Sequence, residues 1–294
     1  MLNISAKTKI IGVFGYPIEH SLSPLMHNAA FSYLGLDYCY LAFSVRPEDL
    51  KQAVESIRAL NLVGVNVTIP HKERVLPYLD KVSRQARLIG AVNTIHNKGG
   101  KLIGYNTDLS GFLTSLKQAG FNPKGKKVVV IGAGGAARAV SFALSQEGVH
   151  SLFILNRTLE KAKSLTKMIK KSIINGVRPA GSDPIIEALS LRKKELIKAI
   201  ERADLLVNAT SLGMVPKTSQ SPLAGFGLLP KNLVVYDLVY NPAETKLIRL
   251  AKKSKGKTIG GLEMLIQQGA KSFEIFTGLK APLEVMRKVM RKAM

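Results

Sequence analysis

Val128-Val129-Val130-Ile131-Gly132-Ala133-Gly134-Gly135-Ala136-Ala137 is the stretch on which the fold turns. Four β-branched residues without a polar interruption predict a strand buried on both faces, and the alanine-rich run to about Gln146 predicts a helix. Between them the glycines match G-x-G-x-x-G/A, in the strand, turn and helix context that makes the pattern informative. Gly132 permits the tight turn, Gly134 lets a pyrophosphate approach the backbone, and Ala137 is small enough for close packing of helix on strand. Phosphates then meet the helix N-terminus, where unpaired N–H groups and the helix dipole favour anions. Gly132, Ala133, Gly134, Gly135 and Ala136 are the expected phosphate-side residues of a dinucleotide site. Outside this context a glycine run marks only a turn.

Downstream, strand-like and helix-like runs alternate through Ser151 to Leu155, Lys161 to Lys170, Asp204 to Asn208 and Leu233 to Asp237. That alternation predicts a parallel sheet covered on both faces. Roughly 20 residues beyond the fingerprint, an NAD site offers an acid to the ribose hydroxyls. Here the second strand ends instead in Asn156-Arg157-Thr158. The guanidinium fork of Arg157 suits a 2′-phosphate, Thr158 offers a hydroxyl, and Lys161 adds positive charge, so the expected cofactor is NADP. Asn156 and Thr158 also suit capping of the following helix.

Upstream, Lys9 to Phe14, Tyr38 to Phe43, Val63 to Val67 and Ala91 to His96 are β-branched or aromatic-rich and predict strands. Pro24 to Leu34 and Pro47 to Leu60 carry helical periodicity, each opened by a proline. Asn97-Lys98-Gly99-Gly100 predicts a tight turn between two short strands, and Asp108, beside Ser110 and Gly111, lies at the start of a helix. Two α/β domains are expected: residues 1–107, and residues 108–263 around the fingerprint, with helix from Gly261 to the end. The strongly charged stretch from Ile173 to Glu201 is expected to be a helical surface elaboration.

The chain has 294 residues, 46% of them hydrophobic, enough for a sizeable core. No run approaches the roughly 20 apolar residues that span a bilayer, and Met1 to Lys9 lacks the apolar core of a secretory signal. A cytoplasmic protein without membrane partner is expected. The net charge of +23, from 43 Lys+Arg against 20 Asp+Glu, would attract nucleic acid, anionic surfaces or anionic substrates alike. Most of the excess falls in Glu160 to Lys171, Arg192 to Arg202, Lys246 to Lys257 and Arg287 to Arg291, where apolar residues recur at helical spacing. Such stretches read as solvated helix faces, and no nucleic-acid recognition motif accompanies them. The lone Cys39 excludes an internal disulfide framework and suits buried packing. His20, His27, His71, His96 and His150 form no metal-ligand spacing, so no metal is expected.

Polar residues interrupting the strand ends of the first domain suggest a ligand crevice. They are Ser21-Leu22-Ser23-Pro24, Val65-Asn66-Val67-Thr68-Ile69-Pro70-His71-Lys72, Ala91-Val92-Asn93-Thr94 and Asn106-Thr107-Asp108. At these residues the chain resembles the shikimate dehydrogenase family. The family's S-L-S, N-V-T-x-P-x-K, G-A-V-N-T, N-T-D, G-A-G-G-A-A-R, N-R-T, N-A-T-S and M-L-x-x-Q-x-A segments appear in order from about Ile11 to Ala270. The resemblance implies an N-terminal substrate domain, a Rossmann-type NADP domain after it, and C-terminal helices, 264–294, that return to the first domain. It also implies reversible reduction of 3-dehydroshikimate to shikimate, in the chorismate route to aromatic amino acids.

Carried over at matching positions, Ser21 and Ser23 are expected to bind the substrate carboxylate, with Tyr240 nearby. Thr68, Asn93, Asp108 and Gln268 are expected to take the ring hydroxyls; Gln268 is preferred to Gln267 by its spacing from Met264. Hydroxyls and amides both donate and accept, as a polyhydroxylated ring demands. Leu238 and Gly261 join the cofactor residues. Lys72 and Asp108 resemble the family's catalytic pair, since an ammonium stabilises the charge that carbonyl reduction places on oxygen. Whether Lys72 carries the proton, or orients substrate while water carries it, stays open in the sequence.

Three rival readings remain beside this one: a quinate/shikimate dehydrogenase with relaxed cofactor use, a nonenzymatic NADP-binding regulator, and a basic nucleic-acid-binding module on the same scaffold. The absence of an acid at Asn156-Arg157-Thr158 speaks against NAD, and the presence of Lys72 with Asp108 speaks for chemistry on a small molecule. A monomer or a homodimer fits the sequence equally.

Overall fold

In chain order the elements are β1 (Lys9–Gly15), α1 (Ser23–Tyr33), β2 (Tyr38–Ser44), α2 (Leu50–Ala59), β3 (Gly64–Val67), β4 (Lys81–Val82), α3 (Arg84–Ile89), β5 (Thr94–Lys98), β6 (Lys101–Tyr105) and α4 (Asp108–Gln118). There follow β7 (Lys127–Ile131), α5 (Gly135–Gln146), β8 (Ser151–Asn156), α6 (Leu159–Ile174), β9 (Ile185–Ser190), α7 (Lys193–Glu201), β10 (Leu205–Asn208), β11 (Val234–Asp237), α8 (Lys246–Lys253), β12 (Thr258–Gly260), α9 (Leu262–Thr277) and α10 (Leu283–Lys292). The structure is a computed structural model and describes residues 4–174 and 183–294. Two compact units divide the chain, one of Met1–Gly111 with Ile266–Met294 and one of Phe112–Leu265. Among the described residues no helix is long and apolar enough to cross a membrane.

In the first unit the sheet runs β2-β1-β3-β5-β6-β4. Three of its five pairings are parallel, and β5 is antiparallel to both neighbours. The Asn97 to Gly100 turn makes this reversal: Gly99 and Gly100 take φ of +59° and +81°, and the Asn97 side-chain oxygen accepts the Gly100 N–H. Positive φ at both central positions matches the twist of the flanking strands, which is why glycines stand there. One core cluster joins Phe14, Val65, Val67, Ile95 and Leu102 with Val54 and Ile57 of α2. The C-terminal helix α10 packs along α1.

His27 of α1, only 1% exposed, stacks on Tyr40 with centroids 4.3 Å apart and planes 2° apart. Burial pulls its pKa from 6.5 to about 3, so it is a neutral ring in the core. The unfolded chain takes up a proton near 6.5 that the folded one refuses until about 3. Folding stability therefore falls as pH drops through that window, by about 1.4 kcal/mol per pH unit for this group. In urea unfolding between pH 7 and pH 4, a His27→Phe variant is expected to lose that part of the slope. Matching slopes in variant and parent would refute the assignment.

The second unit holds the fingerprint. Val128 to Ile131 are completely buried in β7, the strand at the middle of an all-parallel sheet. The order is β12-β11-β10-β7-β8-β9. Counted from β7 as first, this is the 3-2-1-4-5-6 arrangement of a doubly wound dinucleotide fold, read from the β9 edge. Both faces are covered, one core cluster gathering Val129, Ile131, Leu206 and Val235 with residues of α7 and α8.

The expectation of a helical elaboration from 173 to 201 is corrected here. Among the described residues its two ends are helical, in α6 and α7, and Ile185–Ser190 is β9, paired parallel with β8; residues 175–182 lie outside the described residues. The third strand of the nucleotide fold thus lies inside a stretch that looked ornamental. Glu187-Ala188-Leu189 are good helix formers, and an edge strand shows half-exposed, weakly alternating residues. Pairing with β8 overrides the local preference.

Candidate active site

Because β1, β3 and β6 run in one direction and β5 in the other, the C-terminal ends of the first three and the start of β5 share one edge of the first sheet. Ser21 and Ser23 follow β1, Thr68 and Lys72 follow β3, Asn93 precedes β5, and Asp108 follows β6. The expected strand from Ala91 is therefore shortened. It begins at Thr94, and Val92 and Asn93 instead donate their backbone N–H groups to Lys72 O and Tyr105 O.

At the centre Lys72 Nζ stands 2.6 Å from Asp108 Oδ2, with side chains only 14% and 5% exposed. Asn93 Nδ2 approaches the other oxygen, Asp108 Oδ1, at 3.0 Å, Thr107 Oγ1 at 2.8 Å and Gln268 Oε1 at 3.2 Å. Each Asp108 oxygen thus has its own donor, the arrangement that holds a carboxylate in one orientation. Asn106 supports it, since its Oδ1 accepts the Asp108 backbone N–H at 3.1 Å while its Nδ2 donates to Ala91 O.

His71 fixes the turn that carries Lys72. It is fully buried, its backbone N–H donates to Thr68 O, and its Nε2 lies 2.7 Å from Val45 O. A carbonyl only accepts, so Nε2 carries the hydrogen. Burial lowers the His71 pKa, against the pull of the Val45 bond, and the nearby Arg74 lowers it further.

Thr68 is half-buried, with its N–H bonded to Phe14 O. Neither serine caps α1, whose N-cap is Leu22 without a side-chain bond. Ser21 Oγ accepts the Ser23 N–H at 3.4 Å, and the Ser23 hydroxyl makes no hydrogen bond among the described residues. Of the two adjacent glutamines, Gln268 is the one whose side chain reaches Asn93. Tyr240 follows β11 in the second unit and is half-buried.

A second layer was not singled out from sequence. Asn66 Nδ2 lies 2.9–3.0 Å from Asn93 O, Thr94 Oγ1 and Ser272 Oγ, and its Oδ1 accepts the Tyr40 hydroxyl at 2.7 Å. Ser272 stands one turn beyond Gln268 on α9 and bonds Gln268 O at 3.0 Å. Polar residues inside β-branched strands were the available signal for Asn66, and four-residue spacing from Gln268 the one for Ser272.

In the second unit, Gly132 has φ +122°, and a Cβ there would stand 2.9 Å from Ala209 O. Both conformation and space demand glycine. Gly134 is the N-cap of α5 without side-chain capping, and its Cβ position is open space. Gly135 and Ala136 are half-exposed while Ala133 and Ala137 are buried, so the turn presents backbone N–H groups on its open side. This cradle fits a pyrophosphate. Arg157, Thr158 and Lys161 are all exposed after β8, and neither cation forms an ion pair among the described residues. Asn156 Nδ2 donates to Thr158 O at 2.9 Å, which shapes the turn. Leu238 N donates to Asn208 O, and a Cβ at Gly261 would collide with Leu238 O, so these two backbones touch. Among the described residues no three of His, Cys, Asp and Glu are grouped to hold a metal ion.

Family models match three stretches: the shikimate dehydrogenase substrate binding domain over residues 13–95, shikimate / quinate 5-dehydrogenase over 115–215, and the shikimate 5′-dehydrogenase C-terminal domain over 261–291. A shikimate dehydrogenase (NADP(+)) of Desulforamulus reducens is 48% identical over 98% of this chain and 97% of its own. Among solved structures, a shikimate dehydrogenase in complex with NADP+ superposes with TM-score 0.85 at 44% identity, covering 99% of this chain and 97% of that one. The shikimate 5-dehydrogenase of Listeria monocytogenes, in complex with shikimate and NAD, gives TM-score 0.85 at 38% identity and 99% coverage of both. Sheet order, fingerprint, strand-edge cluster and full-length similarity agree, and the chain belongs to the shikimate dehydrogenase family.

Proposed function

We propose that the protein is an NADP-dependent shikimate dehydrogenase, interconverting 3-dehydroshikimate and shikimate on the chorismate route to aromatic amino acids. The observation that carries this reading is the part-buried Lys72–Asp108 pair, 2.6 Å apart, framed by Asn93 and Gln268. NADPH, when bound, supplies the hydride. Lys72 meets the charge that develops on the carbonyl oxygen and gives it a proton, and in the oxidative direction takes the hydroxyl proton back. Asp108 holds the ammonium in place through one oxygen, while its other oxygen is kept by Asn93. Thr68, Asn93 and Gln268 bind ring hydroxyls, and Ser21, Ser23 and Tyr240 bind the carboxylate. On the cofactor side, residues 132–136 hold the pyrophosphate, Asn156 to Thr158 and Lys161 the adenosine phosphate, and Leu238 and Gly261 the nicotinamide end. Residues 1–107 and 264–294 form the substrate domain and 108–263 the NADP domain.

Its partners in this reading are small molecules, not nucleic acid or membrane, and it works in the cytoplasm as a monomer or homodimer. The test is a spectrophotometric assay of shikimate and quinate oxidation with NADP and NAD in parallel. Turnover of shikimate with NADP at the highest kcat/KM is expected. Failure to oxidise shikimate with NADP overturns the proposal.

A further inference from the structure

Asp237 ends β11 with no exposed surface, and among the described residues no lysine, arginine or histidine pairs with it. Burial pushes its pKa up, against three donors that favour the charged form. Those donors come from three separate segments. Asn208 Nδ2, at the end of β10, gives a bond of 2.8 Å to Oδ1; the Val239 N–H, just past β11, gives one of 3.1 Å to the same oxygen; the Thr245 hydroxyl, at the N-cap of α8, gives one of 2.6 Å to Oδ2.

Each donor fixes something further. Asn208 Oδ1 accepts both the N–H and the hydroxyl of Thr210, at 3.1 Å and 2.7 Å, and so shapes the turn after β10. Thr245 Oγ1 accepts the Ile248 N–H at 3.2 Å and starts α8. The Asn208 carbonyl takes the Leu238 N–H. The turn after β10 is the one whose Ala209 oxygen and Thr210 methyl crowd Gly132, and Leu238 is the residue whose carbonyl crowds Gly261. One buried carboxylate therefore ties together both backbone segments that press on the glycines of the cofactor side.

We infer that Asp237 is a positioning residue for the dinucleotide cradle, acting through Asn208 and Thr245 on the 208–212 turn and on Leu238 without itself touching a ligand. The inference rests on the NADP reading above and adds to it a group that the sequence had placed only in a buried strand. A single acceptor holding three segments sets the gap in which the glycine turn and Leu238 stand. Loss of one of its bonds lets the segments drift apart while the strand itself stays paired.

Calorimetric titration of the complete protein with NADP+ and, separately, with shikimate distinguishes this from a role in packing alone. Asp237→Asn, which keeps the shape and loses an acceptor, is expected to weaken NADP+ binding about tenfold, the value of one hydrogen bond to a charged group. Shikimate binding stays within about twofold, by the same scale. KM for NADP rises while kcat at saturation is nearly kept. Thr245→Val removes one donor at constant shape and is expected to act in the same direction, whereas Thr245→Ser, which keeps the hydroxyl, restores parental affinity. Should Asp237→Asn not fold, the Thr245 pair decides alone. NADP+ affinity unchanged in folded Asp237→Asn or Thr245→Val overturns the inference, and so does an equal loss for both ligands alongside a lowered Tm, which marks a packing role. A parent protein without NADP+ affinity strikes the functional reading instead.

Discussion

Lys72→Ala is expected to lower kcat by about three orders of magnitude, in the range found for removing a positioned acid that also stabilises charge in the transition state. Shikimate affinity should fall no more than about tenfold, since the ground state loses one charge-assisted hydrogen bond among several. The substitution also leaves the Asp108 carboxylate, 5% exposed, without its cation. Orphaning a buried charge costs roughly 3–5 kcal/mol, so the variant melts lower than the parent. Two measurements keep the effects apart. Binding is titrated well below the new Tm, and a double variant with Asp108→Asn removes the orphaned charge. Its stability recovers while turnover stays lost. A Lys72→Ala protein with near-parental kcat would exclude Lys72 from both proton transfer and charge stabilisation.

Arg157→Ala should weaken NADP binding by roughly 30-fold and NAD binding by no more than about twofold, because only NADP carries the phosphate that a guanidinium fork can grip. Arg157 is exposed, so its contribution is screened, and the ratio shrinks as salt rises. Exposure also means that the folded state loses little, and Tm should be unchanged within error. Kd and KM for both dinucleotides, measured in parallel at two ionic strengths, check the expectation. Equal losses for the two would sink the assignment of Arg157 to the 2′-phosphate. Lys161, on the same exposed surface, then becomes the residue to test.

The nucleotide fold was legible where one local pattern and one global role coincide. Val128 to Ile131 read as a doubly buried strand and are one, because both faces of a central parallel strand are covered and favour an unbroken apolar run. β9 was hidden for the opposite reason. As an edge strand it has a partner on one side only, so its sequence carries little signal and a helix-forming composition misleads. β12, three residues long, is too short to show a period. At the substrate edge, the residues that meet one another were legible as polar interruptions, but the pairing that unites them was not. That Asn93 and Lys72 share an edge follows from β5 running against β3, a choice made by the hairpin and by burial of Ile95 on Val65. Asn66 and Asp237 escaped because a buried polar residue looks in sequence like any other break in a strand. Their partners are set by docking that no periodicity reveals: Ser272 lies 206 residues along the chain from Asn66, and Thr245 stands at the N-cap of α8.

The Asn93 amide has two hydrogens and faces three acceptors, on Thr107, Asp108 and Gln268, all within 3.2 Å. Thr107 also brings a hydrogen of its own, and its hydroxyl lies 3.2 Å from Asn93 Oδ1 and 3.5 Å from Gln268 Oε1. Turning that one hydroxyl changes which neighbour receives a hydrogen, so the corner can offer either a donor or an acceptor to an incoming group. A guest hydroxyl, which both gives and takes a hydrogen, would be met there in either sense.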